Sequence, residues 1–253
     1  MIKRFLAAIQ FLTVCPLPAS INIDERALGG SVPFFPVVGI IIGAAAAGLD
    51  YGLGHVLPLS VASMLLVIFL LAVSCALHMD GLADTADGFF SSRPRERILE
   101  IMRDSHVGPM GVIVIVCVLL FKLTLLTAVP PASRWWVLLM TPFAGRCALL
   151  INMAVIPYAR PEGGLGTIFY SSRSRLQLAW AFVLLMAIGW LAAGPTGLAV
   201  GLAAFAFSII FAFYVKYKIG GSTGDTLGAA CELTELIPAM VYLVSVSGGL
   251  TRI

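Results

Sequence analysis

The sequence predicts an all-α fold, a polytopic transmembrane helical bundle of about seven spans with its N-terminus in the cytoplasm, and three observations lead there. The 253 residues are 60% hydrophobic and only 11% charged, with a mean hydropathy of +1.00, far from the roughly one-quarter charged content of soluble domains. Seven apolar runs, 32–49, 57–78, 108–128, 135–156, 176–193, 198–214 and 227–247, approach the ~20 residues that cross a bilayer core. Lys and Arg are strongly asymmetric about those runs. With the N-terminus inside, the inside segments hold Lys3, Arg4, Arg26, Arg93, Arg95, Arg97, Arg103, Arg160, Arg173, Arg175, Lys216 and Lys218, against Arg134 and Arg252 outside. Cytoplasmic segments carry the excess of basic residues, so 79–107, 157–175 and 215–226 share the cytoplasmic face.

Taken in order, residues 1–31 begin with Met1-Ile2-Lys3-Arg4 and an apolar stretch from Phe5 to Val14, the order of a short signal peptide. The stretch is short, bulky Val14 precedes Cys15, and a polytopic chain needs no removable signal. An interfacial or half-inserted helix is expected instead. The runs that follow leave short connections except at 79–107 and 157–175, with no linker, so residues 1–253 read as one transmembrane helical domain. Cys15, Cys75, Cys117, Cys147 and Cys231 stand singly, without metal or disulfide spacing, and read as small apolar side chains.

The acidic residues follow the basic ones: ten of thirteen lie in or beside the cytoplasmic segments. In His78-Met79-Asp80-Gly81-Leu82-Ala83-Asp84-Thr85-Ala86-Asp87-Gly88, continuous with the second span, Asp80, Asp84 and Asp87 recur at i, i+4 and i+7 and fall within a ~60° arc of one helical face. Like charges so placed weaken a helix by a few tenths of a kcal/mol, and a bound cation relieves them. Hard oxygen donors favour Mg²⁺. Gly81, Ala83, Ala86 and Gly88 leave room for a ligand or a neighbouring helix.

Two further segments complete the chemistry. In Arg103-Asp104-Ser105-His106-Val107-Gly108-Pro109-Met110-Gly111, Asp104 can add to a metal shell, Arg103 can hold a phosphate bidentately, and His106 is either a base or an interfacial anchor. In Gly220-Gly221-Ser222-Thr223-Gly224-Asp225, a glycine-rich loop enters a helix and offers N–H groups to an anion. Beyond it Asp225, Glu232 and Glu235 share a ~80° arc. These two glutamates are read either as metal ligands or as partners of Lys122 and Arg146, the basic residues inside spans. Of the cytoplasmic arginines, Arg93 and Arg103 are assigned to substrate; the others obey the positive-inside pattern and meet anionic head groups. Few aromatics accompany the basic loops, which argues against nucleic acid.

Carboxylates with a divalent ion, arginines and a glycine-rich helix start are the parts for transfer at phosphorus. A carboxylate or His106 would take the proton of an attacking hydroxyl. The stretches HMDGLADTADGFF, MRDSHVGPMGV and IGGSTGDTLGAACELTE, in this order over nearly the whole chain, resemble the signature segments of the adenosylcobinamide-GDP ribazoletransferase (cobalamin-5′-phosphate synthase) family. That resemblance implies a Mg²⁺-dependent enzyme of the bacterial inner membrane with its active site on the cytoplasmic side. The ribose 3′-hydroxyl of α-ribazole, or of its 5′-phosphate, would attack the cobinamide-proximal phosphate of adenosylcobinamide-GDP and GMP would leave. Asp84, Asp87, Asp104 and His106 become the catalytic candidates, Asp80, Asp84, Asp87, Asp225, Glu232 and Glu235 the metal candidates, and Arg93, Arg103, Gly221, Ser222, Thr223 and Gly224 the substrate candidates. A homodimer would enlarge the cavity for the corrinoid.

Two other classes stay in view. Asp84-Thr85-Ala86-Asp87-Gly88 is similar to the DxxDG opening of CDP-alcohol phosphotransferases, with Asp104 downstream. Ser91-Ser92-Arg93 and Gly108 depart from that pattern. A cation-coupled transporter would also use intramembrane Glu232, Glu235, Lys122 and Arg146, but the acids cluster at one interface and no internal repeat is present.

Overall fold

The computed structural model describes residues 1–16, 23–104, 106–160, 165–170 and 175–247. Ser105, Glu162, and Arg173 and Arg252 of the charge count, lie outside the described residues. The chain folds into helices α1 (Ile2–Leu12), α2 (Glu25–Gly29), α3 (Phe35–Leu53), α4 (Leu59–Val73), α5 (Leu77–Phe89), α6 (Arg95–Ile101), α7 (Pro109–Ala128), α8 (Pro131–Val155), α9 (Leu165–Tyr170), α10 (Arg175–Ile219), α11 (Gly224–Thr234) and α12 (Ile237–Ser247). A lone parallel bridge, Tyr158 to Ser222, is the extended pairing among the described residues.

Among the described residues five stretches are long and apolar enough to cross a membrane, Val32–Leu53, Pro109–Ala128, Pro131–Val155, Arg175–Ile219 and Gly224–Ser247; α4 and α5 reach that length only as a pair, and an 87° bend separates them. The longest stretch is not one rod. Ala193 and Gly194 leave helical geometry, and a Cβ on Gly189 would meet the Gly197 carbonyl oxygen at 2.3 Å while one on Gly201 would meet the Leu185 oxygen at 2.6 Å. Residues eight apart in a straight helix lie ~12 Å apart, so the chain reverses here, and the expected runs 176–193 and 198–214 fall on the two arms of a hairpin. Bare glycine backbone lets the arms touch.

Helix α8 is the hub, buried from Trp136 through Met153 apart from Leu139 at intermediate exposure. Its backbone at Leu139 and Pro142–Phe143 meets Gly43 and Gly39 of α3 so closely that added methyls would sit 2.5 and 2.8 Å from carbonyl oxygens. At the end of the bundle away from the acidic segments, Arg134 grips Asp50 through Nε and Nη2 at 2.7–3.0 Å. Near the N-terminus α1 buries Ala7, Ala8 and Leu12, and Phe11 stacks on Phe35 and packs at a tilt against Phe169, a helix lying on the bundle.

The second span ends earlier than expected. Cys75 and Ala76 both adopt positive φ, 50° and 54°, each costing roughly 1–2 kcal/mol for a residue with a Cβ, and the Ala76 N–H closes the turn on the Leu71 carbonyl at 2.8 Å. Helix α5 therefore does not continue α4 but turns away from it, outside the spanning segments and across the starts of α7 and α11. That placement offsets the strain: a Cβ on Gly81 would lie 2.7 Å from the Asp225 oxygen, and one on Gly228 would lie 2.8 Å from the His78 oxygen. The small residues of α5 thus make room for a helix. Gly81→Ala is expected to cost about 1–3 kcal/mol by overpacking, read as a lowered Tm in detergent. Gly48→Ala, where nothing lies within 4 Å, is the neutral control; equal Tm values for the two would refute the tight crossing.

Candidate active site

Helix α5 carries its acids between two helix N-termini. Asp80 is exposed, whereas Asp84, Asp87 and Asp225 are half-buried. Asp87 meets α7: its carboxylate accepts the Gly108 N–H at 2.7 Å and the Gly111 N–H at 2.8 Å. A Cβ at either glycine would collide with that carboxylate, at 2.4 and 2.5 Å, so the glycines of the second motif exist to admit the aspartate of the first. A negative charge at the positive end of a 20-residue helix is stabilising. Asp87 is thus a cap, and its geometry does not call for a metal role.

At the other end Asp80 and Asp84 meet Asp225 at the start of α11. Asp225 accepts from Arg160 Nη2 at 2.8 Å and from Thr223 Oγ1 at 3.2 Å. Burial, then the charges of Asp225, Asp80 and Asp87, push the Asp84 carboxyl up to about 7. The folded protein holds that proton to about pH 7 while an unfolded chain releases it near the ordinary Asp value of ~3.9; stability present below that value is therefore lost as pH rises through 7. In chelator, Tm is expected to fall between about pH 5 and 7.5 more in the native protein than in Asp84→Asn. Parallel falls would exonerate Asp84.

The glycine-rich loop differs from expectation. Ser222 N–H bonds to the Pro157 oxygen and Ala159 N–H to the Ser222 oxygen, both at 2.8 Å. Thr223 and Thr226 form a reciprocal capping box, 2.8 and 3.2 Å. Gly221 lies against the Pro157 oxygen, and Tyr170 bonds the Ser222 hydroxyl. Gly221, Ser222 and Thr223 are buried and hold the loop rather than a substrate; the capping box takes the Thr223 and Thr226 N–H groups. Gly224 alone of the four is exposed and open. Arg95 ties the scaffold together, Nε to the Ile219 oxygen at 2.7 Å and Nη2 to the Ala159 oxygen at 3.1 Å.

Glu232 and Glu235 are also corrected. Lys122 Nζ lies 2.7 Å from a carboxylate oxygen of each, and Arg146 bonds Glu235. All four side chains are buried. Two cations balance two anions, the mutual pairing that spares their burial cost. Seven residues also set Glu232 about 10 Å along the helix from Asp225, too far to share an ion. The same pairing leaves no unbalanced charge for cation coupling.

His106 and Asp104 stand apart. Both are exposed, with His106 Nδ1 2.6 Å from Asp104 Oδ1, a bond that with the His106 N–H holds the Asp104 carboxyl below its ordinary range. They line a shallow groove with Asp87, Ser91 and Arg97. Arg93 is exposed; Arg103 acts electrostatically on Tyr158, as do Arg160 and Asp225, and so belongs to the edge of the cluster. Arg160 is the member sequence reasoning did not single out: one arginine among many, brought to Asp225 by the pairing of 157–159 with the glycine-rich loop.

No three His, Cys, Asp or Glu side chains among the described residues are grouped tightly enough to enclose a metal. Asp80, Asp84 and Asp225 nonetheless bear on one another electrostatically. Such a donor set suits Mg²⁺, which keeps several waters and takes one or two carboxylates together with substrate phosphate oxygens, rather than an all-protein cage.

The fold and this site define a helical membrane-type bundle with an enzyme's polar machinery gathered at one end. A sequence model of the cobalamin-5-phosphate synthase family matches residues 4–243. The chain belongs to that family. It is similar to the adenosylcobinamide-GDP ribazoletransferases of Geotalea daltonii, 38% identical over 98% of this chain and 99% of that protein, of Acetivibrio thermocellus, 36% over 92% and 94%, and of Desulforamulus reducens, 39% over 93% and 94%. No solved structure matches.

Proposed function

We propose that this chain transfers the adenosylcobinamide phosphate moiety of adenosylcobinamide-GDP to α-ribazole or its 5′-phosphate, releasing GMP, at the cytoplasmic face of a bacterial inner membrane. The observation that carries the reading is the convergence of Asp80 and Asp84 with Asp225 and Arg160, from three distant parts of a chain whose family acts at phosphorus. Basic residues concentrated on the same side support the cytoplasmic orientation.

As the acceptor oxygen bonds to phosphorus and the P–O bond to GMP breaks, the hydroxyl proton must go to a base. Asp84 is suited to accept it: burial and the charges of Asp225, Asp80 and Asp87 raise its carboxyl to about 7 in the metal-free protein, toward the range in which a base is both ionised and willing. Asp80 and Asp225 would hold Mg²⁺, which when bound neutralises charge on the phosphoryl oxygens. Arg160 fixes Asp225 by their 2.8 Å contact and, with Arg103, brings positive charge to the edge where a diphosphate would lie. The test is release of GMP from adenosylcobinamide-GDP by the purified protein in liposomes, with and without α-ribazole and Mg²⁺. No GMP above a protein-free control would end the proposal, and CMP release from CDP-diacylglycerol would replace it with the CDP-alcohol reading.

A further inference from the structure

Beside the acids is a cavity of ≈ 200 Å³. Phe11, Phe35 and Phe169 form one wall, with ring centroids 4.6–5.9 Å apart, and Leu149 and Met153 form part of another. His78 lines it too, is only 4% exposed, and has an Nδ1 with no hydrogen-bond partner. A buried polar atom without a partner costs on the order of 1–3 kcal/mol. Asp80 and Asp225 line the same cavity.

We infer, resting on the function proposed above, that this cavity takes the flat aromatic base of the acceptor nucleoside and that a ring N–H of His78 donates to the base's free nitrogen. Size comes first: pockets for whole small molecules occupy ~300–1,000 Å³, so this one admits a ring system and neither a corrinoid nor a complete nucleotide. Chemistry selects which ring. A benzimidazole joined to its sugar through one nitrogen keeps a single polar atom, the other nitrogen, an acceptor. The cavity offers that atom one imidazole, which as a neutral ring has one donor, and whose two orientations exchange its nitrogens. Guanine or adenine carries several amino and ring groups, and apart from His78 the side chains that could meet them are Asp80 and Asp225, at the end where the sugar must lie; the rest would be buried against phenyl and aliphatic walls. With the base seated, its sugar lies at Asp80 and Asp225, where the hydroxyl must react.

Equilibrium dialysis of the full chain in detergent against α-ribazole, and against an adenine nucleoside as comparison, tests this beside GMP-release kinetics. Binding of α-ribazole is expected, at least about tenfold tighter than the adenine nucleoside. Phe169→Ala and His78→Ala are each expected to raise its Kd and KM about tenfold, one aromatic contact or hydrogen bond, with the KM for adenosylcobinamide-GDP unchanged, which also certifies folding. Phe169→Leu, which retains a buried apolar side chain, keeps the test available if Phe169→Ala is unstable, and is expected to weaken binding less. Absence of α-ribazole binding, equal binding of adenine, or unchanged Kd in the variants overturns the inference. Binding as expected without GMP release would overturn the reaction and leave the cavity's ligand standing, so the two failures are distinct.

Discussion

Asp84→Asn is expected to lower GMP release on the order of 10³-fold, within the span attributed to a positioned proton acceptor, while the protein keeps or raises its Tm. The two halves of that result have different origins. The Asp84 carboxylate has no hydrogen bond to any described residue, and as an anion it is opposed by Asp225, Asp80 and Asp87; a neutral amide relieves that opposition, so the fold loses nothing. The reaction loses its base and part of its acidic cluster. Asp87→Asn makes the contrast. An amide presents one acceptor where the carboxylate presents two, so one of the N–H groups of Gly108 and Gly111 is left facing an NH₂ group. Asp87→Asn is expected to lose about 1 kcal/mol, the scale of a lost helix cap, together with turnover. Wild-type rates for Asp84→Asn at saturating Mg²⁺ would remove Asp84 from the mechanism.

Lys122→Met is expected to have the largest effect on stability, about 3–5 kcal/mol, the cost of breaking one member out of a buried ion network. The ammonium is 2.7 Å from both Glu232 and Glu235, and Arg146 bonds only the second of these through the contacts described. Removing Lys122 leaves Glu232 buried without a cation. Adding Glu232→Gln should restore a large part of the loss, because the remaining pair, Arg146 and Glu235, is neutral. Thermal unfolding in detergent measures both variants, and a Lys122→Met protein as stable as the native one would show that these groups are not the electrostatic keystone of α7, α8 and α11.

Much of this was legible in residue order. Hydropathy marks the apolar runs, and the period of 3.6 puts Asp80, Asp84 and Asp87 on one face and Asp225, Glu232 and Glu235 on another. The three motifs in sequence suffice for the family. What periodicity cannot supply is the partner of each face. Asp80, Asp84 and Asp87 share a face, yet α5 is long enough that its two ends serve different neighbours: Asp87 caps α7 and Asp80 meets α11. Asp225 and Glu232 also share a face, yet two turns apart one lies at the acidic cluster and the other deep among Lys122 and Arg146. Nor is the 87° turn after α4 written in glycine or proline; Cys75 and Ala76 hold positive φ because docking of α5 on α11 compels it.

By itself, then, the sequence determines the helical membrane-type fold, the family and which acids share a helical face, because burial pattern and helical period are local properties of the chain. The tertiary structure decides which acids meet, that Arg160 joins them, that the glycine-rich loop is spent on its own cap, and that His78 faces an aromatic cavity. Those outcomes depend on how helices cross, and a crossing is set by which backbones can approach at Gly81 and Gly228, a contact between residues far apart in the chain.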